Sequence, residues 1–173
     1  MSYFYHGVPE PMVGTLLIPL NRMPSSMTAL HNMHLKKYDG REEITKRRIP
    51  LLDCLWNDVV QFLPLHPRKV FELQVKLGLI PTIPNFKFFE IDPGMFDLDK
   101  TVVYFKSAPG EENIEVTWLK DVNLSSLQDI PIATVEYYES LVGTGELSFN
   151  YQFIPHILYE GAVDISSSRI VTI

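Results

Sequence analysis

Short apolar runs, many of them closed by a proline, alternate with polar stretches along the whole chain. Pro19, Pro50, Pro64, Pro81 and Pro84 each end or follow such a run, the pattern of short strands joined by irregular loops. The opening "YFYHG" places β-favouring aromatics ahead of His6, and Gly7 and Pro9 end the run, which predicts a first strand with a polar group at its tip. After "GTLLIPL", residues 22–38 are polar with interspersed methionines and read as a loop, and a short helix is expected near residues 40–47. "CLWNDVVQFLPL" reads as a buried strand. "PRKVFELQVKLG" is the strongest helix, with Pro67 in its first turn and Gly78 just past its end, and "TVEYYESL" is a second. Further strands are predicted at "FKFFEI", "TVVYF", "IEVTWL", "LSFNYQF", "HILYEG" and "RIVTI". The fold class that follows is α+β: small, mostly antiparallel sheets with a few short helices, in one domain over residues 1–173.

Composition narrows the setting. With 46% apolar and 12% aromatic residues, 173 residues suffice for one well-buried core. No apolar window approaches the length of a membrane span, so no membrane partner is expected, and the amino terminus lacks the basic patch and apolar run of a secretion signal. The single cysteine, Cys54, has no partner for an internal disulfide and apolar flanks that predict packing rather than reactivity; a reducing, cytoplasmic location fits best. Trp56 and Trp118 are expected in the core. The net charge of −6 argues against a broad basic face for nucleic acid. In the densest basic stretch, "HLKKYDGREEITKRR", Glu42 with Lys46 and Glu43 with Arg47 have the i to i+4 spacing of a solvated helix.

Most familiar catalytic patterns are missing. "GTGE" at residues 143–146 lacks the lysine and length of a phosphate loop, and no serine sits in a Gly-x-Ser-x-Gly elbow. His31 and His34 have the spacing of a metal face but no Cys, Asp or Glu partner nearby, so no metal is expected. What remains is a set of polar positions at expected strand tips and helix ends: His6, Tyr38, Arg41, Arg47, Arg48, His66 and His156.

The order of "FYHG", "GTLLIPL", "GREEITKRR", "LWNDVVQFLPLHP" and "PHILYEGAVDISSSRIVTI" resembles the layout of the DarT-like ADP-ribosyltransferases: a Tyr-His strand, a Gly-Leu turn, an Ile-x-x-Arg-Arg helix, a strand ending in a proline-containing turn, and a late closing strand. The resemblance implies an ADP-ribosyltransferase-like core and NAD as the cofactor. His6 and Gly7 would lie on the dinucleotide-binding strand, with Tyr38, Arg41 and Arg47 also toward the cofactor, Arg48 at the catalytic arginine and "NDVVQF" beside the nicotinamide. NAD+ already carries a good leaving group, so such an enzyme chiefly holds the dinucleotide bent and stabilises an oxocarbenium-like ribose. The chain departs from the family at the catalytic glutamate, where Pro155 and His156 stand; a neutral imidazole accepts one hydrogen bond where a carboxylate accepts several. Glu160 is the nearest carboxylate on the expected strand face, with a solvated turn before Gly161 as its other reading. The RNA 2′-phosphotransferases, which use NAD+ on the same core without that glutamate, are a looser likeness.

The expected function is therefore NAD-dependent ADP-ribosyl transfer to a nucleic-acid or protein acceptor, single-stranded DNA or RNA running along Lys36, Lys37, Arg41 and Arg47. The alternatives are a non-catalytic nucleotide-binding relative and a protein-interaction domain such as a toxin partner or phage inhibitor. If the resemblance holds, His6 and His156 come from adjacent central strands and share a cleft with Arg48.

Overall fold

The computed structural model describes residues 2–173 and shows a mixed fold of small antiparallel sheets and short helices. In chain order the elements are β1 (Phe4–Gly7), β2 (Leu16–Leu17), α1 (Thr28–Leu35), β3 (Arg48–Ile49), β4 (Cys54–Leu55), β5 (Val60–Phe62), α2 (Arg68–Lys76), β6 (Lys87–Ile91), β7 (Thr101–Lys106), β8 (Ile114–Trp118), α3 (Ile132–Leu141), β9 (His156–Tyr159), β10 (Val163–Asp164) and β11 (Arg169–Thr172). A three-stranded sheet has the order β1-β6-β11 and a four-stranded sheet the order β5-β9-β7-β8; β2 with β10 and β3 with β4 form two-stranded ribbons.

Period-two alternation sorts the apolar side chains into layers. Phe4, Phe89 and Ile91 of the three-stranded sheet meet Val60, Phe62, Val103 and Ile157 of the four-stranded sheet in an inner core. Their neighbours Tyr5 and Phe88 face the opposite way, onto Val70 and Phe71 of α2 and Tyr138 of α3. Val102, Tyr104 and Leu158 face outward from the four-stranded sheet onto Ile49 of β3. The chain is thus a two-sheet sandwich with helices on one side and a ribbon on the other. A backbone bridge between Tyr5 and Leu63, with N–H to O distances of 2.9 and 2.8 Å, ties β1 to the residue after β5 and joins the sheets at one edge.

Helix α2 follows Pro67 and is stopped by Gly78 at φ 75°, a conformation that favours glycine. Four expectations need correction. Residues 22–38 are not a loop: no proline interrupts residues 25–49, and Ala29, Leu30 and Met33 support α1, although none of its residues is buried. The expected helix near 40–47 is a 3-10 turn over Glu42–Lys46, so its i to i+4 ion pairs do not form; Glu42 instead accepts the Gly40 N–H at 2.9 Å. The expected strand over 54–65 is broken at Trp56–Asp58, because the Asp58 carboxylate accepts the Leu55 N–H at 2.7 Å and bends the chain.

The fourth is "LSFNYQF", which alternates like a strand yet forms irregular turns whose polar groups are taken by side chains. Phe149 N–H donates to the Tyr137 hydroxyl at 3.0 Å, the Thr134 hydroxyl donates to the Gln152 carbonyl at 2.9 Å, and the Tyr138 hydroxyl donates to the Asn150 carbonyl. Among the described residues no helix is long and apolar enough to cross a membrane.

Candidate functional site

At the edge where the sheets meet, two clefts adjoin at His6 and Gln61. The wider, of about 620 Å³, runs between the ends of β1, β5, β6 and β9 and includes His6, Gly7, Asn85, Phe86, Tyr151 and His156. The narrower, of about 120 Å³, lies under α1 and is mainly apolar, lined by Met12, Met23, Met27 and Leu30 with His34 and Tyr38.

His6 sits two residues beyond Phe4 and so points along the inner face of the sandwich, its ring 5.5 Å from that of Phe62. Its Nδ1 donates to the Gln61 carbonyl at 2.7 Å, since a carbonyl can only accept. Nε2 is then the unprotonated nitrogen. Burial, reinforced by the positive field of Lys37 and His34, outweighs that hydrogen bond and pushes the pKa of His6 down to about 4. His156 opens β9 and repeats the arrangement: Nδ1 donates to the Ile154 carbonyl at 2.8 Å, and burial holds the ring below the ordinary histidine range. Among the described residues neither Nε2 has a protein partner, and Ser168 Oγ is the one buried side-chain polar atom left unpaired, so both Nε2 atoms keep solvent-facing surface. Both histidines thus line the wide cleft with neutral rings at neutral pH, and His6 borders the narrow cleft as well.

The structure brings together only part of the predicted site. His6, Gly7 and His156 line the wide cleft, and Tyr38 is buried along the narrow one. β1 and β9 are not neighbours: β5 pairs with β9 and meets β1 through the Tyr5–Leu63 bridge, so the expectation of adjacent strands is corrected to two strands with β5 between them. Arg48 lines neither cleft; it stands exposed on β3, where its guanidinium pairs with the Asp53 carboxylate and donates to the Asp53 carbonyl at 3.0 Å. The ribbon of β3 and β4 packs on the outer side of the four-stranded sheet, which carries Arg48 away from His6. Arg47 is turned to the Tyr104 hydroxyl at 3.3 Å and Glu111 at 3.7 Å. Arg41 donates to the Lys37 carbonyl at 2.8 Å with its guanidinium over the Phe149 ring, 5.6 Å from the centroid. Neither arginine lines either cleft.

Glu160 pairs with Arg22 at 2.6 Å outside both clefts, which agrees with the turn reading; the carboxylate that does line the wide cleft is Glu10. His66 stacks edge-on against Tyr5 at 5.0 Å. Cys54 is half-buried, and burial with the nearby Glu160 and Asp58 carboxylates pushes its thiol up to about 11, the state of a packed rather than nucleophilic cysteine. Trp56 packs edge-on against Tyr104 at 5.2 Å at the border of the outer core. Among the described residues no group of three His, Cys, Asp or Glu side chains is arranged to hold a metal ion.

Sequence reasoning missed Gln61 as an individual residue, together with Asn85, Phe86, Lys87 and Tyr151. Gln61 carried a signal, as the polar break in the apolar run "VVQFL". The others stand in segments whose local pattern says strand or turn, and only the meeting of β6 with the 144–153 segment places them in a cleft. No protein-family model, curated protein or solved structure matches the chain.

Proposed function

We propose that the paired clefts bind NAD+ and that the chain is an ADP-ribosyltransferase of the DarT-like kind, acting on a nucleic-acid or protein acceptor. The observation that carries the reading is the convergence of His6 and His156 on one cleft, each with Nδ1 committed to a backbone carbonyl and Nε2 left to accept. Acceptors so fixed suit the hydroxyl-bearing sugars of a dinucleotide. A ligand with two halves also fits two clefts that meet at a shared pair of residues, His6 and Gln61. The order of the resembling segments supports the same reading.

NAD+ brings a ribose C1′ bonded to a cationic nicotinamide, which leaves with the bonding electron pair. The chain's part is to hold the dinucleotide bent across His6 and to exclude water with the apolar wall under α1. Neither Arg48 nor a carboxylate at position 156 supplies charge here, which favours one second reading, a module that binds NAD+ without turning it over.

Calorimetry with NAD+ tests the binding, and chromatographic detection of nicotinamide, with and without single-stranded DNA, RNA or protein extract, tests the transfer. Binding abolished by His6→Ala and by His156→Ala, with release of nicotinamide, is the expected result. Binding without release selects the second reading, and absence of binding overturns both.

A further inference from the structure

The narrow cleft under α1 is apolar along most of its wall and cationic at one end. Met27, Leu30, His34 and Lys37 follow one another at helical spacing along α1 and the turn after it, so one helix face looks into the cleft. Met12, Leu17 and Met23 add to the apolar wall. Lys37 and His34 both act on the buried His6 through their charge, which puts the three groups within electrostatic reach of one another. Lys37 Nζ makes no ion pair among the described residues and rests over the Tyr38 ring, 4.9 Å from its centroid. Among the described residues no Asp or Glu lines this cleft; Glu10, between Pro9 and Pro11, lines the wide one. Two further polar side chains lie on the wall almost desolvated. Asn57 is 4% exposed and Tyr38 6%, and among the described residues neither the amide nor the hydroxyl has a hydrogen-bond partner. Ser168 Oγ is the one side-chain atom both enclosed and unpaired, so the amide and the hydroxyl keep their remaining surface, and both residues line the cleft. A cation without a counter-ion and unpaired polar groups beside an apolar wall are what an amphipathic anion satisfies.

We infer that the narrow cleft is a binding site for a small aliphatic monocarboxylic acid, its carboxylate at His34 and Lys37 and its chain along Met12, Met23, Met27 and Leu30. A volume of about 120 Å³ is close to the roughly 150 Å³ that holds benzene, so the chain has about six carbons. Three flexible, unbranched methionines, with no Phe or Trp ring among the described lining residues, fit a chain better than a flat ring. The lysine without a carboxylate partner selects the head group: a carboxylate forms a charge-assisted hydrogen bond there, a neutral amide a weaker one, and an ammonium is repelled. The Asn57 amide and the Tyr38 hydroxyl add hydrogen-bond donors within the cleft. The acid site does not depend on the NAD+ reading; where both hold, acid and dinucleotide compete at His6 and Gln61, which the two clefts share.

The test is an NMR titration at pH 7 of the intact chain, labelled at its methionine methyl groups, with sodium hexanoate, hexanamide and hexylammonium chloride. Met12, Met23 and Met27 line the cleft, and Met33 and Met95, exposed and outside it, are internal controls. Hexanoate is expected to shift the three cleft methyls saturably and leave the two controls in place, with hexanamide binding severalfold more weakly and hexylammonium more weakly still. Lys37→Gln, at an exposed position, lowers hexanoate affinity to that of hexanamide and leaves hexanamide unchanged, whereas Leu30→Gln weakens both. Equal responses to the three compounds overturn the site, as do shifts at Met33 and Met95 that match those in the cleft, or hexanoate affinity unchanged in Lys37→Gln. Hexanoate binding with these sensitivities in a protein that does not bind NAD+ keeps the acid site and overturns the dinucleotide reading. NAD+ binding in a protein whose cleft methyls ignore hexanoate does the reverse.

Discussion

His6 and His156 are alike in a way their sequence surroundings do not share: each ring is fixed by a carbonyl and kept neutral by burial. An unfolded chain takes up a proton at these histidines as the pH drops below about 6.5, and the folded chain does not. Stability is therefore greatest above that range and falls as the pH is lowered to about 4, the value for folded His6. For His6 the loss is on the order of 3 kcal/mol. Urea midpoints measured from pH 7.5 to 4.5 should show it, and His6→Gln should flatten the slope; an unchanged slope in that variant assigns the effect elsewhere. On the proposed reading, neutral His6 contributes an NAD+ affinity that is flat between pH 6 and 8, whereas an imidazolium clamping the diphosphate would give tighter binding toward pH 6. Arg48 provides the contrasting case. Its partner Asp53 is exposed, so Arg48→Ala should leave the urea midpoint nearly unchanged and NAD+ affinity unaltered in calorimetry. A marked loss of affinity would return this arginine to the site.

The element that most shapes the wide cleft is the irregular segment at residues 144–153, which presents Tyr151 and leads into His156. It is held by α2 and α3 through a buried glutamine. Gln74 is fully buried, donates to the Tyr138 hydroxyl at 3.2 Å and to Asn150 Oδ1 at 3.4 Å, and accepts from the Ser148 hydroxyl at 3.1 Å. Removing it by Gln74→Ala takes a partner from the buried Tyr138 hydroxyl and from the half-buried Asn150 and Ser148 side chains, and is expected to cost about 2–3 kcal/mol in urea unfolding. Local pattern misled here for a definite reason. Leu147 and Phe149 alternate with polar residues as a strand does, but both are exposed, and β9 already has β5 and β7 as its two partners. Strands such as β6, β7 and β8 were legible because their alternation matches the layers they separate. Helix α1 was not, because none of its residues is fully buried and its half-buried face mixes Leu30 and Leu35 with His31 and His34, too weak an apolar stripe to read.

Over the whole molecule, the two sheets meet at the Tyr5–Leu63 bridge beside which both clefts open. A ligand spanning them ties one sheet to the other. Amide exchange at Tyr5 and Leu63 should then slow by at least about tenfold when NAD+ is bound at a hundredfold excess over its Kd, since binding to the closed form opposes opening. Unchanged exchange at both amides would place the ligand away from the junction. The sequence by itself determined the class of fold, most of the strands, the helix α2 with its proline and glycine boundaries, the existence of α3, and the candidacy of His6 and His156, because these follow from local periodicity and from polar residues at the ends of apolar runs. Tertiary structure alone decided which candidates share a cleft. It separated Arg48 from His6 by packing β3 on the outer face, set β5 between β1 and β9, and brought Asn85, Phe86 and Lys87 to the same cleft as Tyr151 across more than sixty positions of chain. Such meetings depend on strand order and on which face of each sheet is covered, and those are fixed by contacts between distant segments rather than by neighbours in the chain.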